Sequence, residues 1–308
     1  MLAVAGGAFV AGFFPGRFAA WLFGIDPKLD YVNNNSQVLN VVSIGLRENI
    51  PLSIGLFVGT LLLAILVGAL LGYVASFPAI RLREDYLAIT LLAMAEGIRV
   101  VGNNYSPIVG GTLGLGIADV FGWVSFNRFT LLTFLMLGMA AVVLLYAEFI
   151  ARSPLGRSLR AIRDNEIAAE SLGKNVVKAR MRVLVVGSGM AAIAGAMYSF
   201  YTGAVFANTY DRTTWTFIPW VMVILGGMAN NTGVTVGTLS YVTLRKLIAF
   251  YKESLTGLIP FSVVWLDPML LGILLVAMLI FRPQGILPEK PTLTLSPEKL
   301  RSIILQKT

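Results

Sequence analysis

Residues 50–75 read IPLSIGLFVGTLLLAILVGALLGYVA, a run with no charged side chain. It is longer than the ~20 apolar residues that cross the hydrocarbon core of a bilayer. Four more runs of comparable length stand at 2–24, 129–150, 182–203 and 263–281, and three weaker ones at 86–101, 217–229 and 234–251. Gly, Pro or a charge interrupts the weaker runs, a pattern expected of half-helices or spans buried within a bundle. The expected fold is therefore all-α: a polytopic membrane protein of about eight transmembrane or half-spanning helices. It divides into a transmembrane domain over 1–281 and a tail over 282–308.

Composition agrees. Of 308 residues, 56% are hydrophobic and 13% charged, and the mean hydropathy is +0.78. A soluble domain carries about 25% charged residues, so soluble enzyme folds are excluded. The net charge of +8 fits basic cytoplasmic loops rather than nucleic acid. With no Cys and no His, disulfides, thiol chemistry, Cys/His metal sites and a His general base are all excluded. No cofactor and no metal are expected. No basic region or cleavage motif precedes the first apolar run, so no signal peptide is read.

Basic residues set the expected orientation. If 151–182 lies inside and the spans alternate, the inner stretches 76–85, 151–182 and 282–308 hold 2, 8 and 5 Lys or Arg, or 15. The outer stretches hold 5: Lys28, Arg47, Arg128, Arg212 and Lys252. That bias places both the loop and the C-terminal tail in the cytoplasm. Small residues spaced four apart (Gly55/Gly59, Gly68/Gly72, Gly187/Ala191, Ala191/Gly195, Gly233/Gly237) predict close helix packing.

The least membrane-like stretch, 151–182, reads ARSPLGRSLRAIRDNEIAAESLGKNVVKARMR. Ser153 is expected to cap a helix with Pro154 at its first position. Asp164 is placed to cap a second short helix over 165–172, and Gly173 to end it in a left-handed turn. Ala168 and Ala169 leave that helix without bulk. A basic, small-sided helix pair between two spans suits a groove on another protein or a solvated loop beside lipid head groups.

The wording GRSLRAIRDNEIAAESLGKNV resembles the cytoplasmic loop of permease subunits in ATP-binding-cassette (ABC) importers, and among these the branched-chain amino-acid permease family. Three further stretches resemble the same family in the same order: PAIRLREDYLAITLLAMAEGIRVVGNN at 78–104, PWVMVILGGMANNTGVTVGT at 219–238 and IFRPQGILP at 280–288. The chain departs at Glu84, where the family usually has Gly. Met228-Ala229-Asn230-Asn231 also stands where a Gly-Leu-Gly-Ser type of sequence is more usual. Met1 enters within what resembles the family's first glycine-rich span, AGGAFVAGFF, so the chain is either natively short or starts downstream of one or two helices.

The resemblance implies a transport subunit, not an enzyme. The implied partners are separate ABC ATPase subunits, a second permease subunit (identical or different), an extracytoplasmic substrate-binding protein, membrane lipid and a small amino-acid-like solute. Branched-chain amino acids, other amino acids, amides and urea all remain open. An ATP-independent secondary transporter is the competing class, but only Glu96 and Asp267 could serve as coupling carboxylates, and Asp267 is expected to face the protein interior. A membrane-embedded enzyme is a third class, without a clustered acidic motif to support it. The loop residues Arg160, Asp164, Glu166, Ala168, Ala169 and Gly173 are candidates for coupling to the ATPase, with Arg160 and Glu166 as rim partners. Glu96 and Arg99 share one helix face within the membrane zone. With Asn103 they read either as a structural ion pair or as a border of the solute path. Gly110-Gly111-Thr112-Leu113-Gly114 lacks the P-loop Lys-Ser/Thr and reads as a turn. Trp215 and Trp220 read as interfacial anchors.

Overall fold

The computed structural model describes residues 1–25, 31–82, 84–124, 127–255, 266–282 and 284–289. The tail beyond residue 289, expected in the cytoplasm, lies outside them, as does the side chain of Asp267, whose backbone stands in the first turn of the last helix. The chain forms two units, residues 1–216 and 217–308.

Unit 1 contains α1 (Leu2–Leu22), α2 (Asn35–Glu48), α3 (Ile50–Arg81), α4 (Glu84–Asn104), α5 (Ser106–Val109), α6 (Arg128–Arg152), α7 (Pro154–Asp164), α8 (Glu166–Ser171) and α9 (Val176–Thr202). Within the described residues α1, α3, α4, α6 and α9 are each long and apolar enough to cross a membrane. At 1.5 Å per residue the 21 residues of α1 span about 31 Å, the thickness of a hydrocarbon core. The weak run at 86–101 lies on one unbroken helix, α4.

The core of unit 1 is made by α1, α3 and α9, and glycine sets their spacing. A Cβ on Gly7 would strike the backbone of Ala192, and one on Gly195 the carbonyl of Val4. Gly68 and Gly72 bring α3 against Ser188, Ala192 and Leu184 of α9. Not every small-residue pair does this: Gly55 and Gly187 meet nothing within 4 Å. Two thirds of the apolar window of α1 is buried, against 6% in α6. Phe134, Leu137, Leu145 and Phe149 of α6 are exposed, as suits a lipid-facing helix.

At one end of unit 1 the chain forms a small cap. β1 (Leu115–Gly116) pairs antiparallel with β2 (Ala204–Val205), and α2 packs beside them through Val38, Val42 and Leu46. Asn35 Oδ1 accepts the Gly116 N–H at 2.9 Å. Arg128, the first residue of α6, joins Asp119 at 3.2 Å and donates to the Phe200 carbonyl at 3.0 Å. Positive φ at Gly110, Gly111 and Gly114 makes the glycine tract the expected turn. Trp215 is half-buried: it stacks on buried Tyr210 at 5.6 Å and donates to the Thr209 carbonyl. Trp220 is exposed, as an anchor would be.

Unit 2 contains α10 (Ile218–Gly226), α11 (Asn231–Leu255) and α12 (Leu266–Phe281). The helical stretches 213–226 and 231–251 bend by 116° across residues 227–230. Gly233 and Gly237 bring α11 onto the backbone of Gly226 and Met222. Part of the expected tail closes the break. The Ile286 and Leu287 N–H groups donate to the Leu225 and Gly226 carbonyls at 2.9 and 3.0 Å. Asn230 caps α11 by accepting from the Thr232 and Gly233 N–H groups, and its amide donates to the Leu287 carbonyl. Ala229 holds φ +68°, a left-handed conformation that costs an L residue ~1–2 kcal/mol relative to glycine.

Two outcomes follow from these contacts. Gly195→Leu should abolish most monodisperse protein in fluorescence size-exclusion profiles of detergent extracts, while Gly55→Leu should leave the profile unchanged. Ala229→Gly should raise the unfolding temperature by a few degrees, a gain of up to about 1 kcal/mol, in a thermal-shift assay.

Candidate functional site

The stretch 152–182 folds as a braced platform at the end of unit 1 opposite the cap. α6 ends at Arg152, and Ser153 turns the chain: its Oγ accepts the Gly156 N–H at 3.4 Å, with Pro154 at the first helical position. The turn is tight, because a Cβ on Gly156 would strike the Ala151 carbonyl. Arg160 Nη2 donates to that same Ala151 carbonyl at 3.0 Å and pins α7 to the last turn of α6.

The second cap differs from expectation. Asn165, not Asp164, stands extended at φ −159°, ψ 107° and accepts the Ala168 N–H at 3.0 Å. Asp164 is the last residue of α7, and its carboxylate pairs with the neighbouring Arg163 at 3.1 Å. Gly173 does adopt the left-handed turn, at φ +76°, with its N–H on the Glu170 carbonyl at 2.8 Å and the Lys174 N–H on that of Ala169. No atom lies within 4 Å of a Cβ there, so backbone conformation alone calls for glycine. Asn175 then caps α9 through the Lys178 N–H at 2.8 Å.

Ile162, Ala169, Val176 and Ala179 form a small separate core, with Leu159 against it. Ala169 is 3% exposed, so it faces this chain's own α7 and α9 rather than open surface; Ala168 is exposed. Glu166 is also engaged within the chain, with Arg180 of α9 at 2.7 Å. Both side chains are nearly half exposed, so this pair contributes only about 0.2–1 kcal/mol and chiefly orients α8. Arg160 and Glu166 thus hold internal partners. Among polar neighbours, two large apolar side chains stand outward: Ile167 of α8 is 79% exposed and Leu172, just after it, 80%. Sequence reasoning missed both, although each is a bulky apolar side chain within an otherwise polar and small-sided run.

Near the cap, α4 carries a polar cluster. Glu96 contacts Arg99 one turn along, and its second oxygen lies 3.5 Å from Nε of Arg212. Asn103, a further turn along, donates to Asn208 Oδ1 at 2.7 Å. Glu96, Arg99 and Asn103 are therefore brought together, joined by Arg212, read from the sequence as an outer basic residue, and by Asn208, which the sequence did not single out. Burial pushes the adjacent Asp211 carboxyl up, but hydrogen bonds from Thr214 and Thr213 outweigh it and hold the group below its ordinary range. Among the described residues, no group of three or more acidic side chains could hold a metal ion.

Comparison with known proteins assigns the family. The profile of the branched-chain amino acid transport system / permease component family matches residues 1–279. The chain is 36% identical over 296 residues to a probable branched-chain amino acid transport permease protein LivM of Methanocaldococcus jannaschii, covering 95% of this chain and 85% of that protein. It is 30% identical to the high-affinity branched-chain amino acid transport system permease protein LivM of Escherichia coli, over 75% of this chain and 57% of that one. It is also 31% identical to an autoinducer 2 import system permease protein LsrC of an Enterobacter strain, over 76% of each chain. No solved structure matches significantly. The chain belongs to the branched-chain amino acid transport system / permease component family and is a multi-pass permease subunit of an ABC importer.

Proposed function

We propose that this permease imports branched-chain or related amino acids delivered by an external binding protein, and that the 153–175 platform is cytoplasmic and docks on an ATPase. The relatives' names support the solute class. The outward apolar pair Ile167 and Leu172 on a braced α8 carries the docking reading. Two large apolar side chains exposed on an otherwise polar platform suit burial in a groove of a partner protein. Because α8 is tied to α9 by Glu166–Arg180 and by the core around Ala169, a push on α8 passes to a helix of the central bundle. Closure of two ATPases would then switch two paired permeases between inward- and outward-facing states.

Import is tested by purifying the permease with its ATPases and binding protein in liposomes and measuring uptake of radiolabelled Leu, Ile, Val and urea. ATP-dependent uptake of the three amino acids is expected, and uptake of urea alone would contradict the solute class. Docking is tested by Ile167→Ser and Leu172→Ser. Each should leave the permease monodisperse and lower co-purifying ATPase at least fivefold, whereas full co-purification in both would refute the role. Ala169→Trp should instead disrupt the platform's own core and lower the yield of folded permease. Sidedness is tested on a chain that naturally has no cysteine. Leu113→Cys, at the cap, should react with an impermeant thiol reagent added outside intact cells, and Lys174→Cys and Ser296→Cys should not.

A further inference from the structure

We propose that Arg99 and Asn103 read the charged head of the transported solute: Arg99 takes the carboxylate of an α-amino acid and Asn103 accepts from its ammonium. The inference rests on the amino-acid reading above and assigns it to side chains.

Three observations carry it. The first is unmet hydrogen bonding. Arg99 Nε, a donor, and Asn103 Oδ1, an acceptor, are sealed from water without a partner. A polar group left so costs about 1–3 kcal/mol. Here one unmet donor and one unmet acceptor stand one turn apart on the same face of α4. An α-amino acid carries the complementary pair, an acceptor carboxylate and a donor ammonium, on a single carbon.

The second is charge. Glu96 is shared by two guanidinium groups, Arg99 and Arg212, so it cannot pair fully with both. Asp211, next in sequence to Arg212, is directed to the Thr214 N–H at 2.9 Å, and Glu96 is the carboxylate that meets both guanidinium groups. A carboxylate arriving from the solute would give Arg99 an acceptor of its own.

The third is exchange. Glu96 has a second cation to hold, so Arg99 can release it for a solute carboxylate while Glu96 keeps Arg212. The side chains of Arg99 and Glu96 are 29% and 26% exposed, whereas Nε itself is closed to solvent, so the swap requires the Arg99 side chain to turn. An arginine fork suits a carboxylate in two-point contact, and the acceptor on Asn103 then distinguishes a zwitterion from a simple anion.

The test uses the complete importer in liposomes with radiolabelled L-leucine as the probe. Arg99→Lys keeps the charge facing Glu96 and removes Nε. Asn103→Ala removes the acceptor, whereas Asn103→Asp keeps an acceptor and loses the amide that donates to Asn208. Arg99→Lys and Asn103→Ala should import leucine at least tenfold more slowly, with assembled yield and basal ATP hydrolysis within twofold of wild type. Asn103→Asp should retain most import. Equal loss in Asn103→Ala and Asn103→Asp, or leucine import within twofold of wild type in Arg99→Lys, would overturn the assignment. Should Asn103→Ala assemble poorly, Asn208→Ala breaks the same bond from the other side and leaves the acceptor on Asn103. Import should then persist, and its loss would mark the bond as merely structural. A wild-type importer that carries no amino acid at all would overturn the solute reading and this assignment together; wild-type import with unaffected variants overturns this assignment alone.

Discussion

Everything in unit 1 hangs on how closely three helices approach. α1 meets α9 backbone to backbone at Gly7 and Gly195, and α3 meets α9 at Gly68 and Gly72. In a bilayer, lipid tails are as apolar as leucine, so helix association rests on packing contacts rather than on escape from water. Only glycine lets carbonyls and Cα atoms of neighbouring helices touch. The contact puts the most buried of the candidate spans, α1, in the middle and leaves α6 facing outward.

That rigid centre gives the two ends their separate characters. At the cap, α9 runs into β2, and β2 aligns β1, α2 and the turn bearing Asn208 and Arg212 beside α4. At the other end, α9 begins inside the platform, where Val176 and Ala179 close the small core around Ala169. The same helix thus leads through β2 toward the residues 208–212 that join the polar cluster, and packs against α8 at its other end. A displacement of α8 therefore has a short mechanical route into the bundle. The route is made of capped helix ends and packed side chains, which resist bending better than exposed ion pairs do.

Much of this was legible in the sequence, and the failures have physical causes. The apolar runs, the Ser153-Pro154 start and the Gly173 stop obey local rules and stand where expected. The choice between Asp164 and Asn165 as cap was not local, since both side chains cap well. It depended on where α7 stopped, and Asp164 remained helical. Which alanine of the six-residue α8 turns inward depends on Leu159 and Ile162 before it and on Val176 and Ala179 after it, so the burial of Ala169 and the exposure of Ile167 and Leu172 are not local features of the sequence. Trp215 reads as a membrane anchor because Trp favours interfaces, and its ring contacts with Tyr210 and Tyr198 come from the fold and were not legible locally. α2 was missed although Val38, Val42 and Leu46 repeat at helical spacing, because a 14-residue amphipathic helix escapes a search for spans. In the polar cluster the i, i+3 pairing of Glu96 and Arg99 was readable, and its partners from 208–212, more than a hundred residues away, were not.

The most direct measurement is photo-crosslinking from Leu172 in the assembled importer, with a benzophenone amino acid at that position and another at Leu113 as the opposite-end control. If the platform is the ATPase contact, the Leu172 probe should yield a covalent adduct with the ATPase subunit, and the Leu113 probe none. A co-purifying complex in which the Leu172 probe never captures the ATPase would contradict the account.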